Sequence, residues 1–133
     1  MVELYRQYEF ILKENEMLEK ENSKIRLAIN NYENKKNENN MVKTELEILE
    51  DSDIVYKLIG PILVKQEQNE AKIQVNQRLE MINKEINKLE KNLRDNNNKI
   101  EDNRKKLGEI QNQLVNLSKQ LEQHKAQLEQ QGK

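Results

Sequence analysis

At 133 residues the chain has the length of one domain. Apolar and charged residues each make up 35% of it and aromatics only 4%, too little apolar surface for a globular core but enough for helices with a narrow apolar stripe. Its 23 basic and 24 acidic residues are interspersed, so no basic face invites nucleic acid, and the lack of cysteine excludes disulfides and thiolate metal sites.

The N-terminal stretch MVELYRQYEFILKENEMLEK lacks the uncharged apolar region of a signal peptide, and no apolar run approaches the roughly 20 residues needed to cross a bilayer. The chain therefore reads as soluble and cytoplasmic. A first helix is expected over about residues 2–50. Leu4, Tyr8, Ile11, Asn15, Leu18, Asn22, Ile25, Ile29 and Tyr32 recur in alternating steps of four and three, the spacing of a coiled-coil seam. The pattern weakens through Lys36 and Asn39 inside NNYENKKNENN, which has the composition of a low-complexity linker. Helix is favoured there because Val42, Leu46 and Leu49 resume a stripe after a slip of one residue.

A β-hairpin is expected over about residues 54–66. Gly60-Pro61 suits a two-residue turn of type II′, with Gly at its first central position and a φ that Pro adopts at the second. The turn would set Ile59 opposite Ile62, Leu58 opposite Leu63 and Lys57 opposite Val64. Side chains alternate across a strand. Val55, Lys57, Ile59, Ile62 and Val64 then share one face, and Tyr56, Leu58, Leu63 and Lys65 the other. Both faces are largely apolar, and a lone two-stranded hairpin is barely stable in water. Burying an aliphatic side chain yields roughly 1.5–3 kcal/mol, so this patch reads as an assembly module that joins its strands to those of other subunits. Membrane insertion by residues 54–64 is disfavoured by Lys57 and by the short length.

A second helix is expected over about residues 67–130. Val75, Leu79, Ile82, Ile86, Leu89, Leu93, Asn96, Ile100, Asn103, Leu107, Ile110, Leu114, Leu117, Leu121, His124 and Leu128 keep the four-three spacing without a break. When the chain folds back at the hairpin, facing residues of an antiparallel pair have a constant sum of residue numbers. A sum of 118 sets Leu4 against Leu114, Ile11 against Leu107 and Leu18 against Ile100. It also sets Asn15 against Asn103 and Asn22 against Asn96, and paired seam asparagines hold a register because a slipped one is left unpaired. The centre of this register lies beside Gly60-Pro61. Beyond residue 118 the second helix overhangs the first, so Leu121 and Leu128 fray, pair with another chain or present apolar surface. The fold class is thus mainly α: residues 1–133 as one domain of two long helices in an antiparallel coiled coil, joined by one β-hairpin.

Residues 45–86 carry a family resemblance. Glu45-Leu46-x-x-Leu49, Val55-Tyr56-Lys57-Leu58, Gly60-Pro61, Leu63-Val64-Lys65-Gln66, Glu70-Ala71 and Arg78-Leu79-Glu80 together resemble β-class prefoldin subunits, those of the subunit-6 type most. The outer helical stretches resemble them only as coiled coil, and the high Asn content departs from typical members. The resemblance implies a non-enzymatic, ATP-independent co-chaperone without cofactor: a heterohexamer in which this chain would join two α-class and three further β-class subunits. It implies that Val55, Tyr56, Leu58, Ile59, Gly60, Pro61, Ile62, Leu63 and Val64 build a β-barrel platform. It implies further that helix tips carrying Leu4, Tyr8, Leu117, Leu121 and Leu128 hold unfolded clients such as actin and tubulin for the cytosolic chaperonin. The alternative is a non-catalytic coiled-coil tether.

Other motifs carry less. His124 has no Cys or second His to share a metal and reads as a polar seam residue. Asn116-Leu117-Ser118 matches a glycosylation pattern without a secretory signal. Asp51-Ser52-Asp53 reads as a helix end and turn, and no carboxylate pair sits in a cleft to act as acid and base.

Overall fold

The computed structural model describes residues 1–132. Helix α1 (Val2–Glu47) is followed by strands β1 (Val55–Ile59) and β2 (Ile62–Gln66) and by helix α2 (Gln68–Gln131). No proline falls within either helix, and Gly108 is the only glycine inside one. The strands pair antiparallel with Ile59 opposite Ile62, Leu58 opposite Leu63 and Lys57 opposite Val64. Gly60 has φ 58°, and a side chain there would meet nothing within 4 Å. Glycine is therefore required for its backbone conformation and not for space, and Pro61 fixes the negative φ that follows.

Helix α1 ends at Glu47, short of the expected end near residue 50. The Glu50 N–H donates to Asp53 Oδ2 at 2.8 Å and the Asp53 N–H to Glu50 O at 3.0 Å, which turns the chain. Gln68 Nε2 donates to both Glu50 O and Asp53 O at 2.8 Å, tying this turn to the start of α2.

Packing divides the chain into two compact units. One is Lys24–Asn92, and the other combines Met1–Ser23 with the α2 stretch from Leu93 onward. In the first, Leu46, Ala71, Val75 and Leu79 form a buried cluster, with Leu49 and Val55 packed against it. This cluster anchors the base of the hairpin to both helices. In the second, Asn15, Asn22, Ile100, Asn103 and Ile110 are buried.

The register slip expected near residue 40 does not occur. The stripe of α1 keeps its four-three steps through Lys36, Asn39 and Lys43 to Leu46: those three polar residues are half-buried, while Val42 is 45% exposed. An unbroken helix absorbs two successive steps of three only by overwinding. Holding the register instead places Lys36 and Lys43 on the seam, where their aliphatic stems can cover apolar neighbours while the ammonium groups reach water. Asn39 falls opposite Leu79 by residue sum and turns its Nδ2 back to Lys35 O at 2.8 Å. Tyr32, Lys35, Asn39, Arg78, Met81 and Ile82 border an open surface hollow of about 330 Å³ here.

Two substitutions distinguish the unbroken register from the slipped one. Lys43→Leu is expected to stabilise the chain by about 1 kcal/mol through added apolar burial, and Val42→Ser to leave stability unchanged within about 0.5 kcal/mol. Chemical denaturation followed by helical circular dichroism reads both; the opposite order of effects would restore the slip.

Candidate functional site

Three surfaces concentrate the residues singled out by the sequence. The first is the hairpin. Tyr56, Leu58, Ile59, Ile62, Leu63 and Val64 are all exposed, with Leu58 at 67% and Leu63 at 64%. Val55 differs from them: it is half-buried against the cluster of Leu46, Ala71, Val75 and Leu79 and serves as the hairpin's anchor. Gly60 and Pro61 form the exposed turn. The pair that closes a two-residue loop exchanges both of its hydrogen bonds, and bonded and non-bonded pairs then alternate along the strands. The peptide groups of Tyr56 and Leu58 therefore point away from β2, and those of Leu63 and Lys65 away from β1. The sheet has two strands, so among the described residues both edges are open. Open edges flanked by apolar side chains are a template for further strands.

The second surface is interior: the asparagine layers of the unit containing the chain's first residues. Asn103 Nδ2 donates to Asn15 Oδ1 at 2.8 Å, and Asn15 Nδ2 to Ile100 O at 3.5 Å. Asn96 Nδ2 donates to Asn22 Oδ1 at 3.0 Å, and Asn22 Nδ2 to Asn97 Oδ1 at 3.0 Å. Asn22 and Asn103 are each only 2% exposed. Among the described residues no buried side-chain nitrogen or oxygen lacks a partner. Asn97 escaped the sequence reading because it lies one position off the stripe, where only a three-membered layer gives it a role. Lys99 pairs with Glu14 at 3.4 Å and Arg104 with Glu19 at 3.7 Å along the same helix faces. Exposed pairs of this kind contribute at most about 1 kcal/mol, so the buried amides dominate register choice.

The third surface comprises the helix ends. Leu4, Tyr8 and Leu117 are half-buried, and Gln111 Nε2 donates to the Tyr8 hydroxyl at 3.3 Å. These three are seam residues and not freely presented side chains. Leu121, His124 and Leu128 continue the stripe as exposed residues, the two leucines at 57% and 55%. Val2, Tyr5 and Phe10 are exposed as well, Phe10 at 69%, and Phe10 lines a hollow of about 380 Å³ with Glu3, Arg6, Gln7 and Ile11. They were missed because they fall off the stripe; the available signal was an aromatic cluster where solvated polar residues are the norm. Among the described residues no group of His, Cys, Asp or Glu could hold a metal, and no helix is long and apolar enough to cross a membrane.

A family model described as Prefoldin subunit matches residues 9–113. Prefoldin subunit 6 of Mus musculus and of Homo sapiens are each 45% identical to this chain over 65 residues; the aligned stretch is 49% of this chain and 51% and 50% of theirs. Prefoldin subunit 6 of Arabidopsis thaliana is 54% identical over 43 residues, 32% of this chain and 33% of that one. The match thus spans about half the length of the mouse and human proteins. The crystal structure of the prefoldin beta subunit from Thermococcus strain KS-1 superposes with a TM-score of 0.72 at 21% identity, covering 76% of this chain and 89% of that chain. At that identity the likeness is one of fold: two long helices joined by a two-stranded antiparallel hairpin.

The asparagine layers predict a non-additive pair of variants. Asn103→Leu leaves the buried Asn15 Oδ1 without its donor and is expected to cost about 1–3 kcal/mol. Adding Asn15→Leu is expected to recover that loss or exceed it, and leaves the Asn22 layer as the remaining buried polar layer holding the register. Denaturation midpoints read the first effect. Cysteine cross-linking at paired and heptad-shifted positions reads the second, with shifted products expected only when Asn22→Leu, Asn96→Leu and Asn97→Leu are added to the double variant.

Proposed function

The chain belongs to the prefoldin subunit family, and on that premise we propose that it is one subunit of a heterohexameric co-chaperone that holds unfolded polypeptides without ATP. The observation that carries this reading is the hairpin, which is anchored at its base by Val55 and otherwise presents exposed apolar side chains between two open strand edges. A two-stranded hairpin with apolar side chains on both faces is barely stable in water alone, and strands from other subunits are what its free peptide groups accept. The neighbours are other prefoldin subunits, two of α-class and three further of β-class, whose hairpins complete a β-barrel platform. The complex acts in the cytoplasm and catalyses no reaction.

Client binding falls to the helix ends. Leu121 and Leu128 present apolar side chains that α1 does not cover, and Val2, Tyr5 and Phe10 add to them. Each such contact is weak and tolerant of sequence. Several ends acting on one unfolded chain gain avidity from effective concentration, and exposed apolar surface needs no nucleotide to work. Clients such as actin and tubulin would be passed to the cytosolic chaperonin. The half-burial of Leu4, Tyr8 and Leu117 favours the competing reading, a coiled-coil tether with closed ends.

Light scattering during dilution of denatured actin into the assembled complex separates the two. The wild-type complex is expected to suppress aggregation, and Leu121→Ser with Leu128→Ser and Phe10→Ser to reduce that suppression severalfold without loss of assembly. A complex that never suppresses aggregation is a tether. Assembly has its own control: Leu58→Asp with Leu63→Asp is expected to remove this chain from the complex in native mass spectrometry.

A further inference from the structure

Lys57 is a charged residue on the face of β1 that also carries the anchor Val55, and like Val55 it is half-buried. It borders a hollow of about 290 Å³ between β1 and the two helices, whose floor includes Val42, Leu46 and Val75. Arg78 reaches the same hollow from α2, and these two cations are the charged residues of its lining. Two amides of the lining satisfy each other: Gln66 Nε2 donates to Gln74 Oε1 at 2.9 Å. Among the described residues neither Lys57 nor Arg78 belongs to an ion pair. Two cations beside apolar surface, one of them half-buried, lose part of their hydration without a compensating charge, whereas a carboxylate set between them would form charge-assisted hydrogen bonds with both.

The position of the hollow identifies what would bring that carboxylate. Tyr56 and Leu58, whose outward peptide groups make the free edge of β1, also line it, so a strand added along this edge passes over its mouth. A second copy of this chain does not fit: its residues 54–66 contain Lys57 and Lys65 and no Asp or Glu, and would bring cation against cation. We propose that Lys57 and Arg78 form a carboxylate-accepting notch on the β1 edge, filled by an Asp or Glu on the strand that a different subunit lays along β1. The inference rests on the assembly reading above and adds to it a device for choosing an unlike neighbour. Apolar strand faces supply adhesion to any similar hairpin; the notch makes adhesion conditional on a complementary charge.

The test uses the full chain assembled with the prefoldin subunits that co-purify with it. A water-soluble carbodiimide joins an ammonium to a carboxylate in direct contact, and mass spectrometry of the digested complex is expected to find Lys57 joined to an Asp or Glu in a partner's hairpin. Lys57→Gln with Arg78→Gln is expected to weaken entry into the complex at least tenfold, with helical circular dichroism unchanged. Lys57→Glu with Arg78→Glu is expected to abolish entry, and exchanging the cross-linked partner carboxylate for lysine to restore it. If the double Gln variant enters as well as wild type, or Lys57 joins no partner carboxylate in an intact complex, the notch is overturned and the assembly reading stands. A wild-type chain that enters no complex overturns both.

Discussion

An apolar stripe only one or two residues wide cannot be buried by the helix that carries it. In this chain the two helices therefore depend on each other, and the reversal at Gly60 decides how they meet. Gly60 takes a positive φ at no steric cost, and Pro61 holds the negative φ that completes the turn. The strands flanking that turn are locked in register by pairing from Ile59–Ile62 down to Val55–Gln66. Val55 then carries the constraint into the helices through its contact with the buried cluster of Leu46, Ala71, Val75 and Leu79. The hairpin pairs share a residue sum of 121 and the asparagine pairs Asn15–Asn103 and Asn22–Asn96 one of 118, so the helical seam keeps a register of its own, offset by three from that of the strands.

Polar residues enter the stripes in two physically different ways. The asparagines of one unit meet an amide on the facing helix and are buried with their hydrogen bonds made. Their net contribution to stability is small, but the penalty for mispairing them is large, which makes them devices of specificity. In the other unit, Lys36, Asn39 and Lys43 have apolar residues opposite them by residue sum and find no such partner. Asn39 satisfies itself on its own helix, and the lysines need only leave their ammonium groups in water. The same helix thus carries a tightly specified stretch and a permissive one, set by whether a seam amide has an amide to face.

What the helices cannot use is left on the outside. The hairpin exposes six aliphatic and aromatic side chains beyond its anchor, while α2 carries its stripe past the residues that α1 can cover. Neither feature improves the stability of an isolated chain. On the proposed function both are surfaces for other polypeptides: ordered strands at the hairpin, unfolded segments at the helix ends. The proposed notch of Lys57 and Arg78, which form no ion pair among the described residues, would follow the same logic, since charge discriminates among partners that apolar surface alone would accept equally.

The sequence by itself determined the elements and their pairing, because the signals involved are periodic and local. A four-three repeat requires no knowledge of the partner, a Gly-Pro pair between β-branched runs specifies its own turn, and matched asparagines in the two stripes give the antiparallel register, whose centre lies beside that turn. Tertiary structure alone decided what each unusual residue does within that frame. It put Lys43 and not Val42 on the seam, because an unbroken helix holds its phase more readily than it overwinds. It turned Val55 inward, drew Asn97 into the Asn22 layer, and left Tyr5 and Phe10 exposed while half-burying Leu4 and Tyr8. Each of these outcomes depends on which atoms stand opposite in three dimensions, and that information is absent from the spacing of residues along one helix.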